Sequence, residues 1–151
     1  MTFTHPQGTH GARQPRGPLL AFINRRMASR IRRKGGSAAG GDTIVLTTIG
    51  RKSGQERPVP VASFPSPDGG WYVVASAAGA ANNPAWYLNL AAHPDDVTVE
   101  TGGEKVAVSA AELHGEERAA AWKLVVTTAP GFAGYADKTD RELPVVHLTR
   151  R

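Results

Sequence analysis

The sequence predicts a mainly β, antiparallel fold with two or three helices, and three observations support this. Short runs rich in Val, Ile, Thr and aromatic residues recur at 43–49, 57–64, 71–77, 97–101, 104–111 and 144–149. Turn chemistry joins several of them: Gly50 to Gly54, Ser66-Pro67-Asp68-Gly69-Gly70 and Thr101-Gly102-Gly103. Helix signals are few. Short hairpin connections argue a barrel or sandwich rather than a doubly wound parallel sheet. No G-x-G-x-x-G follows a strand, so a Rossmann-type nucleotide site is excluded.

The elements follow in order. Residues 1–17 are rich in Gly, Pro, His and Gln and are expected to be disordered, without the apolar run of a secretory signal. From Pro18, the residues Leu19, Leu20, Phe22, Ile23, Met27 and Ile31 recur near helical period with arginines between them. Residues 18–34 therefore read as a basic amphipathic helix. It either packs on the domain or lies against an anionic membrane surface. Residues 35–41 form a Gly-rich linker. The barrel domain occupies 42–151. Within it a short helix fits Asn83–Ala92, with Asn83 as N-cap and Pro84 at the first helical position. A longer helix fits 115–128, opened by Glu116 and Glu117 and stopped before Pro130. Pro130-Gly131-Phe132-Ala133-Gly134-Tyr135 reads as a flexible loop carrying two aromatics.

A chain of 151 residues supports one barrel domain with a substantial core. It contains no cysteine, which removes disulfides, thiolate metal sites and cysteine nucleophiles. No apolar run approaches the ~20 residues that span a bilayer, and a cytoplasmic location is expected. Eight of the 18 cations and none of the 13 acids fall within residues 1–34, so the body of the chain is acidic. The high pI therefore gives no reason to expect nucleic-acid binding. His5, His10, His93, His114 and His147 are scattered, with no metal-ligand spacing and no hydrolase motif.

Four segments remain that suit ligand binding. Gly50-Arg51-Lys52-Ser53-Gly54, with Arg57 just beyond, is a glycine-framed basic turn able to hold phosphate or carboxylate oxygens. Ala75-Ser76-Ala77-Ala78-Gly79 is a shelf of small side chains on which a flat ligand can lie close to the backbone. Asn83-Pro84-Ala85-Trp86-Tyr87-Leu88-Asn89 offers a helix start and an aromatic wall, and Phe132 and Tyr135 offer a closing loop. Together they suit a planar cofactor with an anionic tail.

Four stretches in collinear order carry a resemblance: Thr47 to Gly54, Pro58-Val59-Pro60, Asn83 to Asn89, and Lys138-Thr139-Asp140-Arg141-Glu142-Leu143-Pro144-Val145. They resemble the actinobacterial family of deazaflavin-dependent nitroreductases and F420H2-dependent quinone reductases. The resemblance implies a split β-barrel, of the FMN-binding-barrel kind, that uses reduced coenzyme F420. It places Arg51, Lys52, Ser53 and Arg57 at the anionic tail, and Pro58, Val59, Pro60, Val61 and Ala62 along the deazaflavin. Val74, Ala75, Ser76, Ala77, Ala85, Trp86, Tyr87, Leu88 and Asn89 supply the remaining cofactor contacts. Phe132 and Tyr135 fall near the substrate side, with Tyr135 or Ser76 orienting the acceptor. The implied chemistry is hydride transfer to a quinone or nitro-type acceptor. Phe132 stands where relatives that reduce nitroimidazoles carry tyrosine, which removes a phenol donor. A homodimer is expected, and no metal. The alternatives are an FMN- or haem-binding barrel, or a non-catalytic F420-binding or membrane-docking module.

Overall fold

A computed structural model describes residues 3–11, 26, 37–38 and 41–151. Seven strands make one antiparallel sheet: β1 (Ser37–Ala38), β2 (Gly41–Ile49), β3 (Glu56–Pro65), β4 (Trp71–Val74), β5 (Val97–Thr101), β6 (Glu104–Glu112) and β7 (Val145–Arg150). The strand order is β1-β2-β3-β4-β7-β6-β5, and β2 pairs back onto β5. The two-residue β1 stands outside that circuit, so six strands close into a barrel. Among the described residues, three α-helices lie against it: α1 (Ala85–Ala92), α2 (Gly115–Thr128) and α3 (Gly131–Asp137).

Turn residues set the register. Thr101 pairs with Glu104, leaving Gly102 and Gly103 as a two-residue loop with φ of +54° and +82°. Positive φ at both positions is the mirror-image turn whose twist matches the strands it joins. In the basic turn, Gly54 N–H bonds to Gly50 O at 2.8 Å, and only Gly54 needs a left-handed backbone (φ +69°).

The barrel is filled by Ile44, Leu46, Val73, Val97, Val99, Val108, Val146 and Leu148, with Tyr87 and Leu90 of α1 plugging it. A second cluster lies outside the wall. There Phe64, Val74, Leu143 and Val145 meet Ala121 and Val125 of α2 and Phe132 of α3. Each fully buried Val, Leu or Phe contributes roughly 1.5–3 kcal/mol.

Four sequence expectations need correction. The strand placed at 71–77 ends at Val74, because Ala75 N–H bonds to the carbonyl of Pro144, which has no N–H to continue the ladder. The N-cap of α1 is Pro84, not Asn83, whose side chain is engaged elsewhere: its amide donates to Pro6 O and its oxygen accepts from Arg141. The loop at 130–135 is largely helix α3. Burying Phe132 edge-on against Phe64, with ring centroids 5.6 Å apart, outweighs the helix-breaking tendency of Gly131 and Gly134.

The fourth concerns the arm. Residues 3–11, expected to be disordered, run along the barrel. Phe3 is buried against Tyr87, His5 N–H bonds to Tyr87 Oη at 3.0 Å, and Thr9 gives two hydrogen bonds to Asp140. Residues 12–17, the basic helix at 18–34 (Arg26 apart) and the linker (apart from Ser37, Ala38 and Gly41) lie outside the described residues. Among the described residues, no helix is long and apolar enough to cross a membrane.

Candidate functional site

The barrel wall opens where β3 and β4 part. β3 pairs with β2 over eight positions, but with β4 only at Phe64 and Pro65. From Glu56 to Ser63 its other edge therefore has no strand beside it. Pro58 and Pro60 occupy alternate positions of this edge, and the β2 ladder survives them. Their missing N–H groups must therefore face the open side. The prolines leave that edge with carbonyls and few donors.

In this gap lies a cavity of about 190 Å³, lined by Pro60, Val61, Ala62, Val74, Ser76, Ala77, Trp86 and Phe132. These eight come from four separate parts of the chain, and all were singled out from the sequence. The cavity walls are small or apolar. Trp86 is partly exposed, and Phe132 is held edge-on by Phe64 and by Tyr135, whose ring centroid is 5.3 Å away. Ser76 and Trp86 are the lining residues whose side chains carry a polar group. Tyr135 stands behind Phe132 rather than in the cavity, with Lys138 Nζ 5.6 Å above its ring.

The basic turn heads the same strand. Arg51, Lys52, Ser53 and Arg57 are exposed. Arg57 Nη2 reaches Ser53 Oγ at 3.4 Å, and Gln55 N–H donates to that oxygen at 3.2 Å. Among the described residues, none of the three cations is ion-paired with a carboxylate. From Arg57 to Pro60 is about 10 Å along a strand. A ring in the cleft and an anionic tail at the turn are therefore within reach of one extended ligand.

Other expected residues have different work. Tyr87 is fully buried and donates its hydroxyl to Glu112; desolvation, then that hydrogen bond, push its pKa well above 10. Asn89 is buried beneath the turn, where its Oδ1 accepts from Arg51 N–H at 3.1 Å and its Nδ2 donates to Thr48 Oγ1 at 3.1 Å. It fixes the turn against α1 and points away from solvent. Ala75 is buried, Ala85 is exposed at the start of α1, and Pro58 and Val59 lie between turn and cleft. Leu88 lines a second cavity of about 330 Å³ with His5, Arg51, Ala91 and Ala92.

Two residues were given no site role by the sequence reading, although Arg141 lies in a stretch that carries the resemblance. Glu112 is a buried carboxylate that receives Tyr87 Oη and both the N–H and hydroxyl of Thr4. Arg141 is a buried guanidinium bonded to main-chain carbonyls beneath the small-residue shelf. Only the apolar neighbours of Arg141 in the sequence, such as Leu143, hint that it is enclosed.

Ser66, Asp68 and His147 gather into a cluster that resembles a hydrolytic triad in composition only. Ser66 Oγ donates to Asp68, and the same His147 nitrogen faces both, at 3.3 and 3.1 Å. No base is left to activate the hydroxyl. The cluster locks a turn. Among the described residues, no group of three or more histidines and carboxylates is placed to hold a metal ion.

A family model described as F420H(2)-dependent quinone reductase matches residues 22–150. The chain belongs to this family. An F420H(2)-dependent quinone reductase of Mycobacterium tuberculosis H37Rv is 34% identical over 112 residues, covering 72% of this chain and 74% of that one. A solved F420-H2 dependent reductase is 40% identical with a TM-score of 0.64, covering 70% of this chain and 92% of that one. A structure described as a domain-swapped dimer is 36% identical with a TM-score of 0.66, covering 82% and 95%. A haem-binding protein from Mycobacterium smegmatis shares the fold at 20% identity and a TM-score of 0.55, over 80% of this chain and 50% of that one. The family consists of oxidoreductases that use reduced coenzyme F420.

Proposed function

We propose that this protein binds reduced coenzyme F420 with its ring in the β3–β4 gap and its anionic tail at the Arg51–Arg57 turn, and that it passes a hydride to a quinone. The carrying observation is that one strand joins a cleft of small and apolar side chains to a turn with three exposed cations. The residues fit the cofactor: Ala62, Ser76 and Ala77 admit a flat ring, and the cations match a polyanionic tail.

When bound, the reduced deazaflavin supplies the hydride. The chain supplies position and dryness. Trp86 and Phe132 close the cleft with apolar surface and exclude water. Ser76 lines the cleft, where its hydroxyl would donate a hydrogen bond to an acceptor carbonyl, and Tyr135 packs against Phe132 from behind. Phe132 brings no phenol into the cleft, which favours an apolar quinone over a nitro compound. The protein acts as a homodimer in the cytoplasm, with residues 18–34 reaching the membrane surface where quinones reside.

The test is a titration of purified protein with reduced F420, followed by turnover with menadione at the deazaflavin absorbance band. Saturable binding and menadione-dependent oxidation are expected. Failure to bind, or a copurified yellow or Soret absorbance from flavin or haem, would refute the assignment.

A further inference from the structure

Building on that cofactor assignment, we infer that Arg141 is a positioning residue that dictates which backbone groups the cleft offers to the ligand ring. Arg141 is 3% exposed. Its Nε donates to Ala80 O at 3.0 Å, Nη1 to Ala75 O at 2.9 Å and to Asn83 Oδ1 at 2.6 Å, and Nη2 to Ser76 O at 2.8 Å. Its own N–H is tied to Thr139 Oγ1 at 3.1 Å. The guanidinium thus gathers carbonyls from both ends of the loop whose middle lines the cavity. Only a planar fork of five fixed donors can span such a set; an ammonium carries three donors on one nitrogen.

The consequence follows from peptide geometry. The described peptides contain no cis bond, and in a trans peptide the N–H points opposite to the carbonyl. Arg141 draws the Ala75 carbonyl inward, so the amide of Ser76 is turned away from it. Ser76 lines the cavity and Arg141 does not, so an amide turned from Arg141 is turned toward the ligand's side. Ala77 is held at φ +46°, a left-handed conformation unfavourable for a residue with a Cβ. The clamp brackets this residue, with bonded carbonyls at Ala75 and Ser76 before it and Ala80 after it.

Across the gap, β3 offers no N–H at Pro58 or Pro60. The two walls are therefore chemically unlike, with the Ser76 amide donor on one side and donor-poor backbone on the proline side. A flat ligand bearing carbonyl oxygens along one edge has one favourable orientation between them. Arg141 enforces this asymmetry without touching the ligand.

The experiment compares wild type with Arg141→Lys, which keeps the charge but loses the fork, and with Glu112→Gln at the other buried charge. Cofactor affinity is read by titration with reduced F420, fold by melting temperature, and turnover with menadione. Arg141→Lys should weaken F420 binding roughly ten- to hundredfold, the scale of a small misplacement at a reacting centre. It should lower kcat, with little change in the menadione KM. Glu112→Gln should lower the melting temperature and leave F420 affinity intact.

Wild-type affinity in a folded Arg141→Lys protein would overturn the inference while leaving the cofactor assignment standing. So would an equal loss of affinity in Glu112→Gln, since the effect would then be general destabilisation. No binding by wild type overturns both. Should Arg141→Lys fail to fold, Asn83→Ala removes one acceptor of the fork and should weaken binding several-fold. Unchanged affinity there would overturn the inference.

Discussion

Removing both cations at the tip of the basic turn, Arg51→Ala with Lys52→Ala, should separate cofactor binding from folding. Both side chains are exposed, and Arg51 is tied to α1 through its backbone N–H, which alanine retains. Substitutions at such positions change stability by no more than about 0.5 kcal/mol, so the melting temperature should hold. A charge-assisted hydrogen bond contributes about 1.5–3 kcal/mol. Solvent screening at an exposed turn reduces the pair to about 2–3 kcal/mol together, a roughly 30- to 140-fold rise in Kd. The assay is a titration with reduced F420 at low salt, repeated at several ionic strengths. The difference between wild type and variant should narrow as salt rises and the Debye length shortens from about 10 Å at 0.1 M to about 3 Å at 1 M. Lys105→Ala, an exposed cation on the β5–β6 hairpin, should bind like wild type. An unchanged Kd for the double variant at low salt would place the anionic tail somewhere else.

Other expectations follow from the same geometry. Asp68 is held at a pKa of about 2, below its ordinary 3.8, mainly by the Ser66 hydroxyl and then by the Gly70 amide and His147. A depressed carboxylate stabilises the fold above its unfolded pKa and loses that contribution as pH falls through the folded value. Melting temperature should therefore decline between pH 4 and pH 2, and Asp68→Asn should flatten part of that decline. Tyr87→Phe deprives Glu112 of a donor and His5 of an acceptor, and should cost about 1–3 kcal/mol in denaturant unfolding; hydrogen exchange should then quicken in residues 3–11. Phe132→Ala should destabilise by about 3–5 kcal/mol and widen the cleft, with weaker F420 retention in the folded fraction. Replacing Arg25, Arg26, Arg30, Arg32 and Arg33 by alanine leaves the packed residues 3–11 in place; it should abolish pelleting with anionic liposomes while menadione reduction in solution persists, and equal pelleting of the two forms would remove the membrane contact from the proposal.

The barrel was legible because its signals are local. Gly102 and Gly103 sit where a two-residue mirror-image turn demands positive φ, and Glu116 and Glu117 mark the start of α2 within a residue. Where sequence reasoning failed, long-range contacts had outweighed local preference. Gly131 and Gly134 read as flexible, yet Phe132 has to be delivered into the cluster with Phe64, and one helical turn delivers it. Residues 3–11 read as disordered because Gly, Pro and His give no periodicity. They are held instead by scattered partners more than 75 positions away in sequence, namely Tyr87, Asn83, Glu112 and Asp140.

The site divides along the same line. Of the eight residues lining the cleft, Ser76, Ala77, Trp86 and Phe132 were singled out by their small or aromatic side chains, whereas Pro60, Val61, Ala62 and Val74 were named only through the family resemblance. Side chains that act on the backbone do not announce themselves in composition. Arg141 lay inside a recognisable motif, but three of its acceptors are main-chain oxygens of unremarkable alanines and a serine about 60 positions earlier. Nothing in those residue types records that a carbonyl is turned inward. The prolines of β3 are the converse case, since their missing N–H groups are written in the sequence but acquire meaning only once β4 is seen to diverge. Orientation of a ligand between two unlike walls thus depends on one feature that the sequence displays and one that it conceals. Exchanging Pro60 for alanine would add a donor to the wrong wall, and by this logic should blur ligand orientation, lowering kcat with menadione more than it changes F420 affinity.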